Sequence, residues 1–526
     1  MRQLSGRVGV SLLVVLAVVV AWRHDAWAQC GNEEKLTASD AAAEHYFGYS
    51  LAVDGNVMIV GAPGFGGGAA YVYRFDGTHW VEEQKLTASD GVEYDWFGGS
   101  ISLSRDVALI GAVRDDASAG SAYVFRFDGT NWVEEQKLTA SDGAAWDYFG
   151  TSVSVSGDVA VIGADNGFGA LRDSGVAYVC RFDGTTWREE QKLMPDDGAT
   201  GDQFGCSVAL TGDMALIGAQ GDDDGRPAAG ATYVYRFDGR HWVVTQKLRA
   251  SDARSADYFG YSVSMNGDVA VIGAPYADDN LNADAGSAYL YRFDGTEWLE
   301  EQKLVAADAA PDQYLGVSVC VRDDVAVIGA SGKVYGGGTG AAYVFKFEGT
   351  TWQGKVEASD AAPNDGFGCS VSMNSDTVVA GAWGDDDGGP ESGSAYVYPL
   401  RGVPRQGTYG QGWPGAWIPS LATTFPKLGS LMTLSIRNSS FWDTTGVLLV
   451  GLEPADIQTG LGGTLLVTPV WTKPLYIPWL GLTLEGFIPE DPALCGLAVY
   501  AQVLELDAYA SQGVSFTPGL VLYLGE

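Results

Sequence analysis

Between residues 33 and 400 apolar and polar positions alternate in short runs, and each run ends at a turn rich in Gly, Asn or Asp. One stretch shows the scheme. Tyr261-Ser262-Val263-Ser264-Met265 alternates, Asn266-Gly267 turns the chain, and Val269-Ala270-Val271-Ile272 runs back. Ala288 to Phe293 follows, then Asp294-Gly295, then Trp298 to Leu304. A period of two reads as strand, and Asn-Gly and Asp-Gly suit two-residue hairpins because both central positions need positive φ. The pattern predicts four antiparallel strands per unit.

The unit recurs seven times at roughly 53 residues. An aromatic-Gly pair marks six copies at Phe47-Gly48, Phe97-Gly98, Phe149-Gly150, Phe204-Gly205, Phe259-Gly260 and Phe367-Gly368, with Leu315-Gly316 in the remaining one. A Gly-Ala pair begins 13 residues after each of those glycines, from Gly61 to Gly381. A Tyr-led strand comes next, and in the first six copies a Trp sits nine residues beyond that Tyr, from Trp80 to Trp352. Copy seven ends at Tyr396-Val397-Tyr398-Pro399 without its Trp-led strand, while Glu33 to Asp40 supplies such a strand at the start of the chain. An array with this exchange is a ring that leaves no open edge. The prediction is an all-β chain: a seven-bladed β-propeller over residues 29–403, closed by the N-terminal strand, then a small β-sandwich-like domain over 404–526.

Phe-Gly followed by Gly-Ala-Pro, as in Phe47-Gly48 with Gly61-Ala62-Pro63 and Phe259-Gly260 with Gly273-Ala274-Pro275, resembles the FG-GAP repeat of integrin α-subunit propellers and of secreted bacterial proteins. The likeness covers about residues 33–400. It implies a propeller that meets ligands on the face where the loops between strands two and three and the blade-to-blade connectors emerge. Calcium-binding blades of that family carry an Asp-rich loop between strands one and two. Here that connection is a tight turn such as Asp54-Gly55-Asn56, so the family calcium site does not carry over.

Residues 1–28 read as a secretory signal: Arg2 and Arg7, an apolar core from Val8 to Ala21, and Ala26-Trp27-Ala28 before Gln29. The core is too short to span a bilayer, so the expectation is an exported, monomeric protein without membrane insertion. Without the signal the chain holds 28 basic and 65 acidic residues, a net charge of −37. Such acidity argues against nucleic acid or anionic lipid as a partner and favours cations, basic partners or simple solubility in salty surroundings. Cys180, Cys206, Cys320 and Cys369 are expected as buried thiols, and a disulfide involving Cys30 is left open.

Nearly all length variation falls in the loop between strands two and three. Several of these loops are acidic, with Asp115-Asp116, Asp222-Asp223-Asp224 and Asp385-Asp386-Asp387, and loops on a rigid scaffold are where recognition concentrates. These eight residues are the candidate partner-binding set. Asp278, Asn280, Asn282 and Asp284 alternate oxygens as at the start of a calcium loop, which makes Ca2+ the candidate cofactor. Each connector adds one Asp (Asp40 to Asp360) and most add a second (Asp95, Asp147, Asp202, Asp257, Asp365), both read as local turn caps. No nucleophile elbow, metal-protease helix or phosphate loop is present. The expected function is an exported, non-enzymatic binding or adhesion module for a protein or glycan. The alternatives are a carbohydrate-active enzyme with its site at the central channel, and a structural surface protein.

Overall fold

In a computed structural model of the chain, the period-two runs become strands. The structure describes residues 33–167, 173–278, 282–332, 337–347 and 352–400, and, further on, 405–409, 420–423, 427, 430–438, 442–452, 454–459, 464–469, 471–478, 482–488, 497–507, 510 and 514–524. The expected signal segment, Cys30 and Asn280 lie outside the described residues. The chain divides into two units, 33–344 with 357–398, and 345–356 with 399–526.

In the first unit, β1 (Glu34–Leu36) precedes a blade made of β2 (Ser50–Asp54), β3 (Val57–Ala62), β4 (Ala69–Phe75) and β5 (Trp80–Leu86), paired in that order and antiparallel throughout. The same sheet is repeated over 97–138, 153–193, 204–248 and 262–304. Blade six contributes Leu315–Arg322, Val325–Ala330 and Ala341–Lys346. Blade seven consists of Val371–Met373, Thr377–Ala382 and Ser394–Pro399, and β1 completes it, with Glu34, Lys35 and Leu36 opposite Val397, Tyr396 and Ala395. The exchange of the N-terminal strand is therefore present as expected. The fourth strands skip one residue at a register shift, as between Val72 and Tyr73 opposite Glu82 to Gln84, whereas β1 pairs without a shift. That bulge accounts for the one residue by which Glu33 to Asp40 is shorter than the matching stretch Glu82 to Asp90.

First strands of neighbouring blades touch one another all the way round, blade seven meeting blade one through Val371–Met373 and β2. Second strands lie between two other blades and are buried on both faces, so β3 is buried at all six positions. This is why they read as continuous apolar runs rather than alternating ones. The apolar cores lie between blades: Val57, Ile59, Ala70 and Val72 pack on Phe97, Ala108, Ile110 and Tyr123 of the next blade. Val379, Ala395 and Val397 of blade seven pack in the same way on Phe47, Val60 and Tyr71 of blade one.

The aromatic-Gly and Gly-Ala pairs form the joint between blades. A Cβ on Gly61 would lie 2.1 Å from Gly98 O, and one on Gly98, whose φ is +92°, would lie 2.3 Å from Ala69 O. Two residues past each of the aromatic-Gly glycines stands a Ser that donates to the corresponding Gly carbonyl of the next blade. Ser50 Oγ reaches Gly98 O at 2.8 Å, Ser100 reaches Gly150 at 2.7 Å, and the series ends with Ser370 donating to Gly48 at 2.6 Å, which joins blade seven to blade one. A second clasp is built on the outer strands. Gln84 Nε2 donates to Trp132 O and Gln84 Oε1 accepts from Trp132 N, both at 2.8 Å, and Gln136, Gln191 and Gln246 repeat this with Trp187, Trp242 and Trp298. At the closure Glu34 replaces the Gln and, with no amide to donate, keeps only the bond from Trp80 N at 3.0 Å.

The second unit contains a three-stranded sheet (Ser420–Thr423, Leu431–Arg437, Leu482–Phe487) and a larger sheet that includes Thr444–Gly451, Trp471–Ile477, Ala498–Leu506 and Gly519–Tyr523. Leu421, Met432, Leu434 and Ile436 from one and Leu448, Ile477, Val503 and Leu520 from the other share one core, as the sandwich expectation requires. The apolar run from Val514 to Leu524 is interrupted at Pro518, which has no N–H to donate, and forms Val514–Phe516 and Gly519–Tyr523.

The glycine joint predicts a position-dependent penalty. Gly98→Ala should cost more than about 3 kcal/mol, because clash and φ strain coincide, whereas Gly77→Ala, at φ +105° with no atom within 4 Å, should cost about 1 kcal/mol. Urea unfolding of both variants checks this. Equal losses would refute the joint.

Candidate functional site

The blade connectors and the loops between strands two and three meet on one face. Each connector Asp accepts from the Tyr that opens the third strand: Tyr71 Oη to Asp40 at 2.6 Å, Tyr123 to Asp90 at 2.8 Å, and likewise Tyr178, Tyr233, Tyr289, Tyr343 and Tyr396 with Asp142, Asp197, Asp252, Asp308 and Asp360. The fourth-strand Lys binds the other carboxylate oxygen, as Lys85 does to Asp40 at 2.6 Å. The expectation of a local turn cap therefore understates these residues, which link the connector to strands three and four of the blade. The second connector Asps do cap their turns, Asp95 Oδ2 accepting from Val92 N at 2.6 Å and Asp147 from Ala144 N at 2.8 Å.

The eight candidate loop carboxylates separate into two kinds. Asp115, Asp222 and Asp385 are buried. Each accepts from the strand-three Tyr and pairs with the strand-four Lys: Lys137–Asp115 at 2.6 Å, Lys247–Asp222 at 2.6 Å and Lys35–Asp385 at 2.9 Å. Asp116, Asp223, Asp224, Asp386 and Asp387 are exposed. Of these, Asp224 and Asp387 reach Lys247 at 2.7 Å and Lys35 at 2.6 Å, and Asp116 stands 3.4 Å from Lys137.

Blade seven shows the consequence most clearly. The carboxylates of Asp360, Asp385 and Asp387 have one oxygen each within 4.8 Å of the others, the spacing of a cation site, but the Lys35 ammonium stands among all three at 2.6, 2.9 and 2.6 Å. Burial alone would lower the Lys35 pKa, and the bonds to Asp360, Asp387 and Asp385 outweigh it and hold it well above its ordinary value. Burial would likewise raise Asp360, but Lys35 and Tyr396 hold it below the usual carboxylate range. The stretch expected to ligate calcium makes other bonds: Asp278 Oδ1 accepts from Asp284 N at 3.1 Å, and Asn282 Nδ2 donates to Ala309 O at 3.0 Å.

Nearer the axis lies a feature the sequence reading passed over. The residue before each aromatic-Gly pair has positive φ in six blades: Tyr46 (58°), Trp96 (62°), Tyr148 (60°), Gln203 (55°), Tyr258 (55°) and Tyr314 (57°), with Gly366 (65°) in blade seven. Bulky residues rarely adopt this region, where Gly or Asn is at ease. The rings touch edge to face, Tyr46 with Trp383 at 5.3 Å, Tyr49 with Trp96 at 5.8 Å and Tyr258 with Tyr276 at 5.1 Å, and Arg114 lies 3.9 Å over Trp96. Beside Arg114 an acidic cleft of about 430 Å³ is lined by Asp90, Glu93, Tyr94 and Asp116. Its rim is the turn Asp115–Ser118, in which Asp116, Ala117 and Ser118 have φ of 50°, 59° and 65°. The signal for the aromatic collar was in the repeat all along, as an aromatic immediately before Phe-Gly or Leu-Gly in five copies.

The model of the FG-GAP repeat family matches this chain seven times, over residues 30–73, 80–125, 132–180, 187–235, 242–291, 298–345 and 350–398.

Two outcomes follow from the lysine-filled clusters. Lys35→Met should cost about 1–3 kcal/mol, a part-buried ion pair broken at the seam of the ring. A carboxylate with a lowered pKa stabilises the fold above its unfolded value and ceases to do so as pH falls, so wild-type stability should decline below about pH 4 and the variant should decline less steeply there. Parallel acid limbs would show that the cluster does not couple to folding. With the ammonium already in place, melting temperatures in calcium and in EDTA at matched ionic strength should agree, and a calcium-dependent rise would mean that a cation displaces Lys35 or binds elsewhere.

Proposed function

The chain belongs to the FG-GAP repeat family, and from that premise we propose that it is an exported, non-catalytic binding module that recognises a protein or glycan partner through the loop face of its propeller. Propellers of this family are typically non-enzymatic and often serve protein binding or adhesion. One observation carries the reading to this face. The joints and hairpins repeat from blade to blade, while the loops between strands two and three differ in length and bear the exposed carboxylates Asp116, Asp223, Asp224, Asp386 and Asp387.

The opposite hairpins offer little to recognise. Asp76, Asp128, Asp183, Asp238 and Asp294 each fold back onto the N–H groups two and three residues ahead, the same turn in five blades. On the loop face the negative field favours a basic protein surface or an uncharged glycan over an acidic one.

The test compares two triple variants of the secreted chain on a printed glycan array and on immobilised basic proteins. Asp116→Ser with Asp224→Ser and Asp387→Ser should weaken or abolish whatever binding the wild type shows. Thr78→Ala with Thr130→Ala and Thr296→Ala, on the hairpin side, should leave it intact. Loss with the hairpin set and retention with the loop set would exclude this face.

A further inference from the structure

Large apolar side chains on a folded surface are ordinary when they stand singly and carry meaning when they gather. Among the described residues of the propeller unit, Phe65, Val92, Tyr94 and Trp146 reach furthest into solvent, at 62, 62, 58 and 61% exposure, with Val81 next at 51%. Phe65 lies in the loop between β3 and β4, Val92 and Tyr94 in the connector that follows β5, and Trp146 in the connector that leads into blade three. All four are therefore on the loop face. Backbone bonds bring them together around the turn Asp115–Ser118. Tyr94 N donates to Gly66 O at 2.7 Å, which sets Phe65 beside the connector of Val92 and Tyr94. Tyr148 N donates to Ser118 O at 3.1 Å, which sets the connector of Trp146 against the far end of the turn. Val92 and Tyr94 also line the cleft of about 430 Å³ beside that turn.

The repeat does not ask for these residues. The third residue before each aromatic-Gly pair, and before Leu315-Gly316, has positive φ in all seven blades. It is Tyr94 at 74° and Trp146 at 75°, and elsewhere Glu44, Gly201, Ala256, Asp312 and Asn364. Gly, Asn and Asp tolerate this region, whereas a large aromatic side chain there adds backbone strain to the cost of exposure. Phe65 is equally out of place. It stands four residues past Gly61, where Asp115, Asp222 and Asp385 stand past Gly111, Gly218 and Gly381. Those carboxylates are buried, while the phenyl ring is turned out to solvent.

We infer that this patch on blades one to three docks a partner protein whose contacting surface has an apolar centre flanked by Lys or Arg. The proposal rests on the reading of the loop face as a binding surface and names the partner's chemistry. Covering the four side chains removes apolar area from water, and Tyr and Trp are residues on which binding energy concentrates at interfaces. The surround is acidic. Glu44, whose carbonyl accepts from Phe65 N at 2.8 Å, is exposed, as are Glu93 and Asp116. Among the residues lining the cleft the one cation is Arg114, which lies over Trp96 at 3.9 Å. A second copy of this chain would bring the same acidic rim against itself, which disfavours self-association through the patch. A neutral glycan would stack on Tyr94 or Trp146 but gain no hydrogen bond from the side chains of Phe65 and Val92.

The experiment applies the labelled full chain to printed helical peptides made of Leu and Lys, of Leu and Glu, of Ser and Lys, or of Ser and Glu, and to printed neutral glycans. The Leu and Lys set should retain it most strongly. Tyr94→Asn with Trp146→Asn, the residue blade seven carries there, should lower that retention by about tenfold or more, with the melting temperature unchanged or raised. Val81→Ser with Val133→Ser, which changes exposed apolar residues of the outer strands, should leave it unchanged. Retention on Leu and Lys no better than on Ser and Lys, or than on Leu and Glu, overturns the proposal. So does retention that the Tyr94, Trp146 variant keeps, or no retention at all. Glycan binding that is lost in that variant assigns the patch to a glycan and also overturns it. Should binding be lost in the Asp116, Asp224, Asp387 triple variant but kept in the Tyr94, Trp146 variant, the loop face stands and the patch falls. If both variants bind like wild type, both readings fall.

Discussion

Everything in the ring depends on how closely one blade approaches the next. At each joint a glycine of one blade faces a glycine of its neighbour at a separation no Cβ would fit, and a serine hydroxyl from the first blade holds the carbonyl there. The bond is modest, about 1 kcal/mol in net terms, but it is made seven times and each copy assumes that its neighbours are in place. Ser370 closing onto Gly48 is chemically the same as Ser50 onto Gly98, so the last joint is not a weaker version of the others. The weaker seam is on the outside. There β1 pairs over three residues, and Glu34 makes one of the two bonds that a Gln makes elsewhere. Lys35 offsets this by gathering three carboxylates of the last blade, and so joins residues that are 325 to 352 positions apart.

How much of this was legible follows from how local each interaction is. The blade count, the hairpins and the exchange of the first strand all show in spacing, because a joint repeated around a ring must recur at a fixed interval. The glycines were visible as markers but not as a contact, since their partner lies a whole repeat away. The acidic loops were read as a partner-binding set, and Asp116, Asp223, Asp224, Asp386 and Asp387 are exposed. Asp115, Asp222 and Asp385 are buried because the Tyr and Lys that answer them are brought in by strands three and four, and in blade seven by a strand from the other end of the chain. In the second unit the strands are harder to read from sequence, since Pro474 interrupts the pattern of Trp471–Ile477 and Pro454–Gln458 begins on a proline.

The charge of the chain takes on a different meaning in this light. A net −37 spread evenly would strain the fold by self-repulsion, yet many carboxylates are spent on fixed internal donors. Connector Asps hold Tyr hydroxyls and Lys ammoniums, hairpin Asps hold backbone N–H groups, and the glutamates at the bulge of the outer strand hold a serine of the connector, as Glu82 does Ser39. In three blades a lysine carried by the repeat does the neutralising that a bound cation could do. The short turn between strands one and two, with Gly55 at φ +58°, removes the room for an Asp-rich loop at that end as well.

A ring of equivalent blades restricts where specificity can lie. The aromatic, the two glycines, the serine, the strand-three Tyr and the outer Gln are all committed to joints, and changing any of them in one blade disturbs its neighbour. The residue between the glycine and the serine is not committed. It is Tyr49, Gly99, Thr151, Cys206, Tyr261, Val317 and Cys369 in successive blades. The residue after Gly-Ala is equally free, from Pro63 to Asp165 to Trp383. Both sets surround the axis, so the part of the molecule that can vary without cost to the scaffold is the part that shapes the channel mouth. The bulky residues held at positive φ before the aromatic-Gly pairs are likewise not something the joints demand, since Gln203 and Gly366 stand at that position in two blades.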